Sequence, residues 1–342
     1  MITINGILGE GGGQILRTSL SLSLCTGQPF RIENIRAGRQ KPGLMRQHLT
    51  AVLAAAEVGG ADVEGAVLGS QALTFRPGKV RAGEYKFVIG TAGSGTLVFQ
   101  TVLPALMMAE GASHVVVEGG THNEAAPPYD FLVRSFLPLL ARMGPKVAAA
   151  FERYGFYPAG GGRFAASIAP ALRLMQLHLG ERGEITHRRV RAVVANLPYH
   201  IAQREVKTAA GRLNWGEDSF KAESTRESNG PGNVVMVEVG SAEVTEIFTA
   251  FGKMQVSAEA VADMAAREAR EYLASKAVAA EHLTDQLLLP MALAGGGSFT
   301  ALKLNPHART NMEVIREFLP VEFTTEDQGD YQLVQVQERQ AR

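Results

Sequence analysis

The sequence is poor in cysteine and in long apolar runs. Cys25 is the only cysteine in 342 residues, which excludes an internal disulfide and a zinc site built on several thiolates. No apolar run approaches the roughly 18 residues that cross a bilayer. The N-terminal stretch MITINGILGEGGG has neither the basic nor the apolar region of a signal peptide. We therefore expect a cytoplasmic protein without a membrane partner.

An excess of charge is also missing. Lys+Arg and Asp+Glu number 34 each, so the overall charge does not indicate nucleic-acid binding, although a local basic patch remains open. Glycine, by contrast, is abundant at 37 residues, many of them in short runs. Such runs favour tight turns whose backbone is open to a ligand.

One pattern of secondary structure occurs three times along the chain. Each copy is predicted as strand, helix, strand, helix and two closing strands. The first copy spans residues 2–75, and the second contains the strand YKFVIG and the helix LVFQTVLPALMMAEG. The third begins with a strand at 174–179 and resumes at DQLLLPMALA, which resembles the first helix of the second copy. Three such units would pack their helices against a shared core.

About 90 residues interrupt the third copy. Residues 184–276 contain the strand-like runs VRAVVANL and VVMVEVG, helical patterns at 201–210 and 258–274, and a polar stretch at 217–232 that we interpret as a loop. They would suffice for a small α/β domain inserted into a larger domain of residues 1–183 and 277–342. The predicted fold class is therefore α/β (α+β), with a three-repeat domain and one insert.

The turn GEGGGQ precedes the first helix. Successive glycines allow a phosphate to approach the backbone, and the start of a helix adds favourable partial charge. Glu10 would repel that phosphate unless a divalent cation lay between them, since Mg²⁺ commonly takes one or two carboxylates together with phosphate oxygens. The alternative is a solvated acid among structural glycines.

Residues 31–46 form the one dense basic segment. It contains Arg31, Arg36, Arg39, Lys41 and Arg46 against a single acid. Arginine forks match phosphate oxygens, and with Arg17 they could bind the end of a nucleic acid rather than a duplex. No aromatic residues interleave to stack a run of bases. A solvated charged loop remains the alternative.

His307 lies where a predicted strand gives way to a predicted helix, after the break at Asn305-Pro306. Free backbone N–H groups at a helix start suit an anionic ligand, but a histidine there is more often a cap or a solvated residue. Gln100 lies inside an apolar helix, where it either makes a structural hydrogen bond or points into a ligand pocket. Thr284 or Asp285, at the start of another apolar helix, could be a cap.

Several long motifs, in order, resemble those of the RNA 3′-terminal phosphate cyclase family. They are GEGGGQILR, IRAGRQKPGLMRQHLTAV, FYPAGGG, QLLLPMALAG and HARTNMEVIREFLP. The match runs nearly end to end. It implies a large domain of three βαβαββ units, like the C-terminal domain of a translation initiation factor, and an insert of thioredoxin-like topology.

The resemblance also implies a reaction. A histidine attacks the α-phosphorus of ATP to give histidyl-AMP, AMP passes to an RNA 3′-phosphate, and the neighbouring 2′-hydroxyl expels AMP to form a 2′,3′-cyclic phosphate. Carried over residue by residue, His307 is the nucleophile and Glu10 contacts a divalent cation, Mg²⁺ or Mn²⁺. The adenylate pocket then comprises Gln100, Pro127, His282, Leu283, Thr284, Asp285 and Gln286, and further essential residues are Arg17, Arg36, Arg39 and Gln47.

Two other functions deserve comparison. Ribosome-biogenesis proteins share this fold but bind RNA without nucleotidyl transfer, and the presence of His307 in its motif argues against that function here. Enolpyruvyl transferases are built from similar repeats but lack the insert and these motifs. Because members of the cyclase family often form dimers, a homodimer is one further expectation.

Overall fold

The computed structural model describes residues 1–9 and 11–339. The chain begins with a four-stranded sheet ordered β1-β2-β4-β3, in which β1 and β2 are parallel and the remaining neighbours are antiparallel. Its elements are β1 (Ile2–Asn5), α1 (Gly13–Thr26), β2 (Phe30–Glu33), α2 (Arg46–Gly59), β3 (Asp62–Glu64) and β4 (Leu73–Arg76).

A second sheet has the same order and the same strand directions, β5-β6-β8-β7. A π-helical turn, Leu132–Phe136, joins its two shorter helices into one continuous helical segment. Its elements are β5 (Glu84–Val88), α3 (Gly95–Leu106), β6 (Ser113–Gly119), α4 (Tyr129–Phe131), α5 (Leu137–Arg142), β7 (Lys146–Arg153) and β8 (Gly162–Ala169).

The next strand, β9 (Leu177–Leu179), is separated from the rest of its sheet by a different one. That intervening sheet is ordered β11-β10-β12-β13, and a short 3₁₀ turn, Glu217–Ser219, precedes β11. Its elements are β10 (Ile185–Ala195), α6 (His200–Leu213), β11 (Phe220–Thr225), β12 (Gly232–Ser241), β13 (Thr245–Phe251) and α7 (Ala258–Ala274).

The last part of the chain returns to β9. Its sheet is ordered β15-β16-β14-β9, with β9 parallel to β14 and the other neighbours antiparallel. The elements are α8 (Glu281–Leu293), β14 (Gly296–Ala301), α9 (Pro306–Phe318), β15 (Val321–Asp327) and β16 (Gln332–Glu338). The predicted mixed α/β fold is confirmed.

The helices of these three sheets share one hydrophobic core. Leu20 of α1, Phe99 of α3, Leu287 of α8 and Ile315 of α9 are fully buried in it. The intervening sheet is covered on both faces. Val234 and Met236 face this first core, whereas Val235 and Val237 face a second core closed by α6 and α7. Burial on both faces accounts for the unbroken apolar run of β12.

The predicted loop at 217–232 is wrong in its first half. Phe220–Thr225 forms β11, which pairs in parallel with β10 at the edge of the sheet. Its sequence FKAEST is polar because an edge strand has only one neighbour and remains largely in contact with water. The ion pair of Arg191 with Glu223 joins it to β10 at 2.9 Å. Polarity therefore concealed a strand whose pairing comes from a distant segment.

The intervening sheet also fixes the start of α8. Glu246 on β13 is buried, and its Oε1 accepts a hydrogen bond of 2.5 Å from the backbone N–H of Ala280. Ala280 is the N-cap residue of α8 and offers no side-chain cap itself. Thr284 and Asp285, which could have been caps, lie inside the helix instead, because α8 begins at Glu281. The carboxyl group of Glu246 holds the backbone of the N-cap residue in their place.

The free energy of unfolding should depend on pH through Glu246. Burial raises the pKa of its carboxyl to about 8, whereas an unfolded chain has a glutamate pKa of about 4.3. Between these values the folded protein holds a proton that the unfolded protein releases, so the free energy of unfolding must fall as pH rises through that window. We expect Glu246→Gln to reduce this fall by at least ~1 kcal/mol. Melting curves from pH 4 to pH 9 measure it, and parallel profiles for the two proteins would contradict it.

Candidate active site

His307 lies at the second position of α9. The strand β14 ends at Ala301, and the side chain of Asn305 caps the helix by accepting a hydrogen bond of 2.8 Å from Ala308 N–H. Pro306 occupies the first helical position, where its missing N–H costs nothing. The predicted strand-to-helix junction is confirmed. The imidazole is half-buried and thus anchored on one side and open on the other.

A chain of hydrogen bonds orients His307 from behind. Its Nδ1 lies 3.1 Å from Gln14 Oε1, and Gln14 Nε2 donates to Asp285 Oδ1 at 2.5 Å. A carboxylate accepts only, so the amide group of Gln14 must direct its nitrogen towards Asp285 and its oxygen towards His307. Nδ1 then carries the proton, and Nε2 keeps its lone pair. This is the neutral tautomer in which Nε2 can act as a nucleophile.

Asp285 is held in turn by α9 and α1. Asn311 Nδ2 donates to the backbone oxygen and to Oδ1 of Asp285, at 3.1 and 2.9 Å. Thr18 Oγ1 donates to Asn311 Oδ1 at 2.8 Å and so fixes the orientation of that amide. Burial raises the pKa of Asp285, opposed by the nearby His307 and Asn311. Three helices thus meet at one carboxyl group.

The Gly-rich turn packs directly onto α9. A Cβ at Gly9, where φ is +51°, would lie 1.8 Å from Thr310 Oγ1, so a larger residue cannot fit. A Cβ at Gly13 would lie 2.3 Å from His48 Nε2. These contacts bring the turn beside His307, although nearly 300 residues separate them in the sequence. Glu10, the predicted metal contact, lies outside the described residues.

Three arginines, Arg17, Arg36 and Arg39, line the same opening as His307 and form a cationic wall. Burial lowers the pKa of Arg17 to about 10, against the opposing effect of Asp285. Burial and the neighbouring Arg39 also lower the pKa of Arg36, whose Nη1 donates to the backbone oxygens of Lys41 and Gly43 at 2.7 and 2.9 Å. Because the pKa of Arg17 stays well above 7, its guanidinium remains charged at neutral pH. A partly desolvated cation attracts a phosphate more strongly than one in water does.

His48, which has no metal-ligand spacing to other histidines and was not predicted as a site residue, also lines this opening. Its side chain is buried, and its Nδ1 accepts a hydrogen bond of 3.2 Å from Met45 N–H. Burial, with Arg17 and Arg36 nearby, lowers its pKa to about 3. His48 is therefore neutral at pH 7 and adds packing and a hydrogen-bond donor rather than charge.

Most of the predicted residues line one cleft of about 480 Å³. This volume is within the range of roughly 300–1,000 Å³ typical of small-molecule sites. Gln47, whose Oε1 accepts from Ser94 N–H at 2.7 Å, and Pro127, whose oxygen accepts from Thr96 Oγ1 at 2.7 Å, form part of its edge. The predicted residues in the cleft are Arg17, Arg36, Arg39, Gln47, Pro127, His282, Asp285, Gln286 and His307.

Three predicted residues lie behind the cleft. Leu283 is fully buried, and Thr284 is buried with its hydroxyl bonded to Ala280 O at 2.8 Å. Both side chains lie on the face of α8 that packs against the protein interior. Gln100 donates to Gln286 and lines a smaller cavity of about 70 Å³ that shares part of its lining with the cleft. Its Oε1 is buried and has no hydrogen-bond partner among the described residues. A structural hydrogen bond and a place in a ligand pocket therefore both remain possible roles for this side chain.

His282 opens to the cleft. Its ring packs edge-on against Phe131 at 6.4 Å between centroids. The surrounding protein removes water from the imidazole of His282 and so lowers its pKa. The charges of Glu281 and Asp285 partly offset this effect. A neutral ring in this position can accept or donate a hydrogen bond without repelling a cation.

Besides His48, two further residues of the site were not predicted from the sequence, Gln14 and Glu124. Gln14 was part of the motif GEGGGQILR but had no role, although a polar residue directly after a glycine run is placed to face a ligand. Glu124 lies on the loop before α4 and also lines the cleft. Among residues 1–9 and 11–339, no three His, Cys, Asp or Glu side chains cluster as a metal site. Within the same residues, no helix is long and apolar enough to cross a membrane.

Comparison with known proteins gives a consistent result. Residues 8–325 match a family model described as RNA 3′-terminal phosphate cyclase. A protein of that name from Koribacter versatilis is 60% identical over 323 residues, covering 94% of this chain and 91% of its own. Those from Ralstonia nicotianae and Salmonella enteritidis are 55% and 52% identical, covering 98% of this chain and 96% and 98% of their own lengths.

Proposed function

Because the chain belongs to the RNA 3′-terminal phosphate cyclase family, we propose that it converts an RNA 3′-terminal phosphate into a 2′,3′-cyclic phosphate at the expense of ATP. The observation that carries this proposal is the contact of His307 Nδ1 with Gln14. It assigns the proton to Nδ1 and makes Nε2 the nucleophile, in the cleft that the arginines also line.

In the first step, His307 Nε2 attacks the α-phosphorus of ATP. A nitrogen–phosphorus bond forms, the bond to the bridging oxygen breaks, and pyrophosphate leaves. Arg17, Arg36 and Arg39 would stabilise the negative charge of the phosphates. The proton on Nδ1 stays bonded to Gln14, which stabilises the positive charge that develops on the imidazole when Nε2 forms its bond.

In the second step, an oxygen of the RNA 3′-phosphate attacks the same phosphorus and displaces His307. The product is an RNA(3′)pp(5′)A end, in which AMP has become a good leaving group. The neighbouring 2′-hydroxyl then attacks the 3′-phosphorus, loses its proton to solvent and expels AMP. This last attack is intramolecular. Because the hydroxyl is already next to the phosphorus, the reaction avoids the entropy cost of bringing two molecules together.

The remaining assignments follow the resemblance and the geometry together. We propose that His282, Gln286 and Pro127 contact the adenylate. Leu283, Thr284 and Gln100 would support that pocket from behind. A Mg²⁺ or Mn²⁺ ion would enter with ATP, with Glu10 as its protein contact, and would neutralise phosphate charge.

We further infer that the three sheets of identical order are copies of one βαβαββ unit. The identical strand directions support this. Residues 184–276, with their own sheet and their own second core, would form the inserted thioredoxin-like domain, leaving residues 1–183 and 277–342 as the larger one. We also propose that the protein works in the cytoplasm and forms a homodimer.

The direct test is covalent labelling. Incubation with α-labelled ATP and a divalent metal should leave acid-labile, alkali-stable label on the wild type and none on His307→Asn. His178→Asn is the matched control. His178 lies on β9, where it contacts Ser298 of the neighbouring strand β14, and it does not line the cleft. Absence of label on the wild type would favour a binding factor of the same fold, whereas equal label on His307→Asn would assign the nucleophile to another residue.

Gln14 should affect the same step through orientation. We expect Gln14→Leu to slow AMP loading by roughly 10²-fold, since a misplaced nucleophile loses near-attack geometry. Gln14→Glu keeps an acceptor for Nδ1 and should retain more activity. Its carboxylate should also move the acid limb of the pH profile upwards, because it stabilises the imidazolium form. Equal losses with unchanged pH profiles would make Gln14 merely structural.

Arg39 separates function from folding. It is exposed, so Arg39→Ala should change the free energy of unfolding by less than ~0.5 kcal/mol while lowering cyclisation at least ~10-fold. Arg39→Lys should recover only part of the activity, because the guanidinium fork is lost. Arg31→Ala serves as the control, since Arg31 pairs with Glu33 outside the cleft. Similar relative losses of activity and stability for Arg39→Ala would identify a structural arginine.

A further inference from the structure

The motif FYPAGGG, residues 156–162, has no part in the nucleotide cleft. It lies instead beside a second opening of about 740 Å³ between α2, the loop before α4 and the strands β12 and β13. The two openings are continuous, because Gln47, His48, Glu124 and Ala125 line both of them. A molecule that enters the cleft with one end can therefore extend into this groove.

The motif presents one aromatic ring to this groove on a rigid turn. Tyr157 is 81% exposed, whereas its neighbour Phe156 is 3% exposed. Phe156 stacks on Tyr154 with a centroid distance of 5.6 Å, and its oxygen accepts a hydrogen bond of 2.7 Å from Gly160 N–H. The turn is thus anchored on both sides of Tyr157.

Two glycines of the motif pack closely against neighbouring segments. At Gly160, where φ is +64°, a Cβ would lie 2.6 Å from the backbone oxygen of Thr91. At Gly161 it would lie 2.0 Å from the side chain of Asn229. The turn is wedged between these two segments. An exposed aromatic ring on such a fixed support loses little entropy when a flat ligand stacks on it.

Charge in the groove suits an anion. Arg46, at the start of α2, is exposed and makes no side-chain hydrogen bond or ion pair within residues 1–9 and 11–339. Among the described residues that line both openings, the one acid is Glu124, and its charge is offset by an ion pair with Lys253. An exposed aromatic ring and an unpaired arginine that line one groove match the combination by which proteins bind single-stranded nucleic acid.

Building on the proposed function, we propose that this groove holds the RNA nucleotide that precedes the 3′-terminal one, with its base stacked on Tyr157 and its phosphate near Arg46. The terminal nucleotide then reaches the cleft with its 3′-phosphate directed towards the arginine wall. The occupant is single-stranded, because a stacked base must be free of its partner strand.

Binding of 5′-fluorescein-labelled RNA with a 3′-phosphate tests this site without requiring catalysis. Tyr157→Ala should weaken binding by about 5- to 100-fold, the usual effect of losing one base-stacking ring. Tyr157→Phe keeps the ring and should bind like the wild type. Arg46→Ala should lower the slope of log Kd against log salt by about one, whereas Arg46→Lys should preserve it.

An RNA with an abasic ribose at the penultimate position locates the stack. The wild type should bind it as weakly as Tyr157→Ala binds the intact RNA, and combining the two changes should cost nothing more. AMP loading from ATP should be unchanged in Tyr157→Ala.

Three outcomes would overturn the proposal. In the first, Tyr157→Ala binds intact RNA as tightly as the wild type does. In the second, the loss of affinity caused by Tyr157→Ala and the loss caused by the abasic site multiply when the two are combined. In the third, Tyr157→Ala changes self-association of the protein without changing its affinity for RNA. If the wild type instead binds RNA as expected but fails to load AMP, the proposed catalytic function fails while the groove stands.

Discussion

The carboxyl group of Asp285 joins three helices from distant parts of the chain. Gln14 of α1 and Asn311 of α9 both donate to its Oδ1, and Asp285 itself lies on α8. Removing such an acceptor would leave buried amide groups without partners, each costing about 1–3 kcal/mol. The same contacts set the orientation of His307, so the packing of the helices and the chemistry of the cleft depend on one group.

Each element around the cleft is fixed by a residue from elsewhere. Glu246 of the intervening sheet holds the start of α8, and Thr310 of α9 leaves room for nothing larger than glycine at position 9. The cleft therefore lies where segments from several sheets meet, and its geometry would not survive in an isolated unit. Contacts of this kind favour a rigid cleft in the unliganded protein. A rigid cleft needs less reorganisation of its polar groups during a reaction.

The local elements could be predicted from the sequence because their signals are local. The capped helix after Asn305-Pro306 and the apolar strands β6 and β12 follow from spacing and composition alone. The contact between Gln14 and His307 could not, because it joins residues 293 positions apart. The strand β11 was missed because its polar sequence is explained only by its place at an edge. Leu283 and Thr284 face the core although the resemblance implies that they belong to the adenylate pocket, since neighbouring residues on a helix point in different directions.

The proposed reaction depends on Nε2 of His307 as the nucleophile, with Nδ1 protonated and bonded to Gln14. Phosphorus–nitrogen correlation NMR on protein carrying ¹⁵N-labelled histidine, after reaction with ATP, reports which nitrogen bears the AMP. We expect a single adduct in which phosphorus couples to Nε2 of His307. An adduct on Nδ1, or on any other residue, would contradict this assignment.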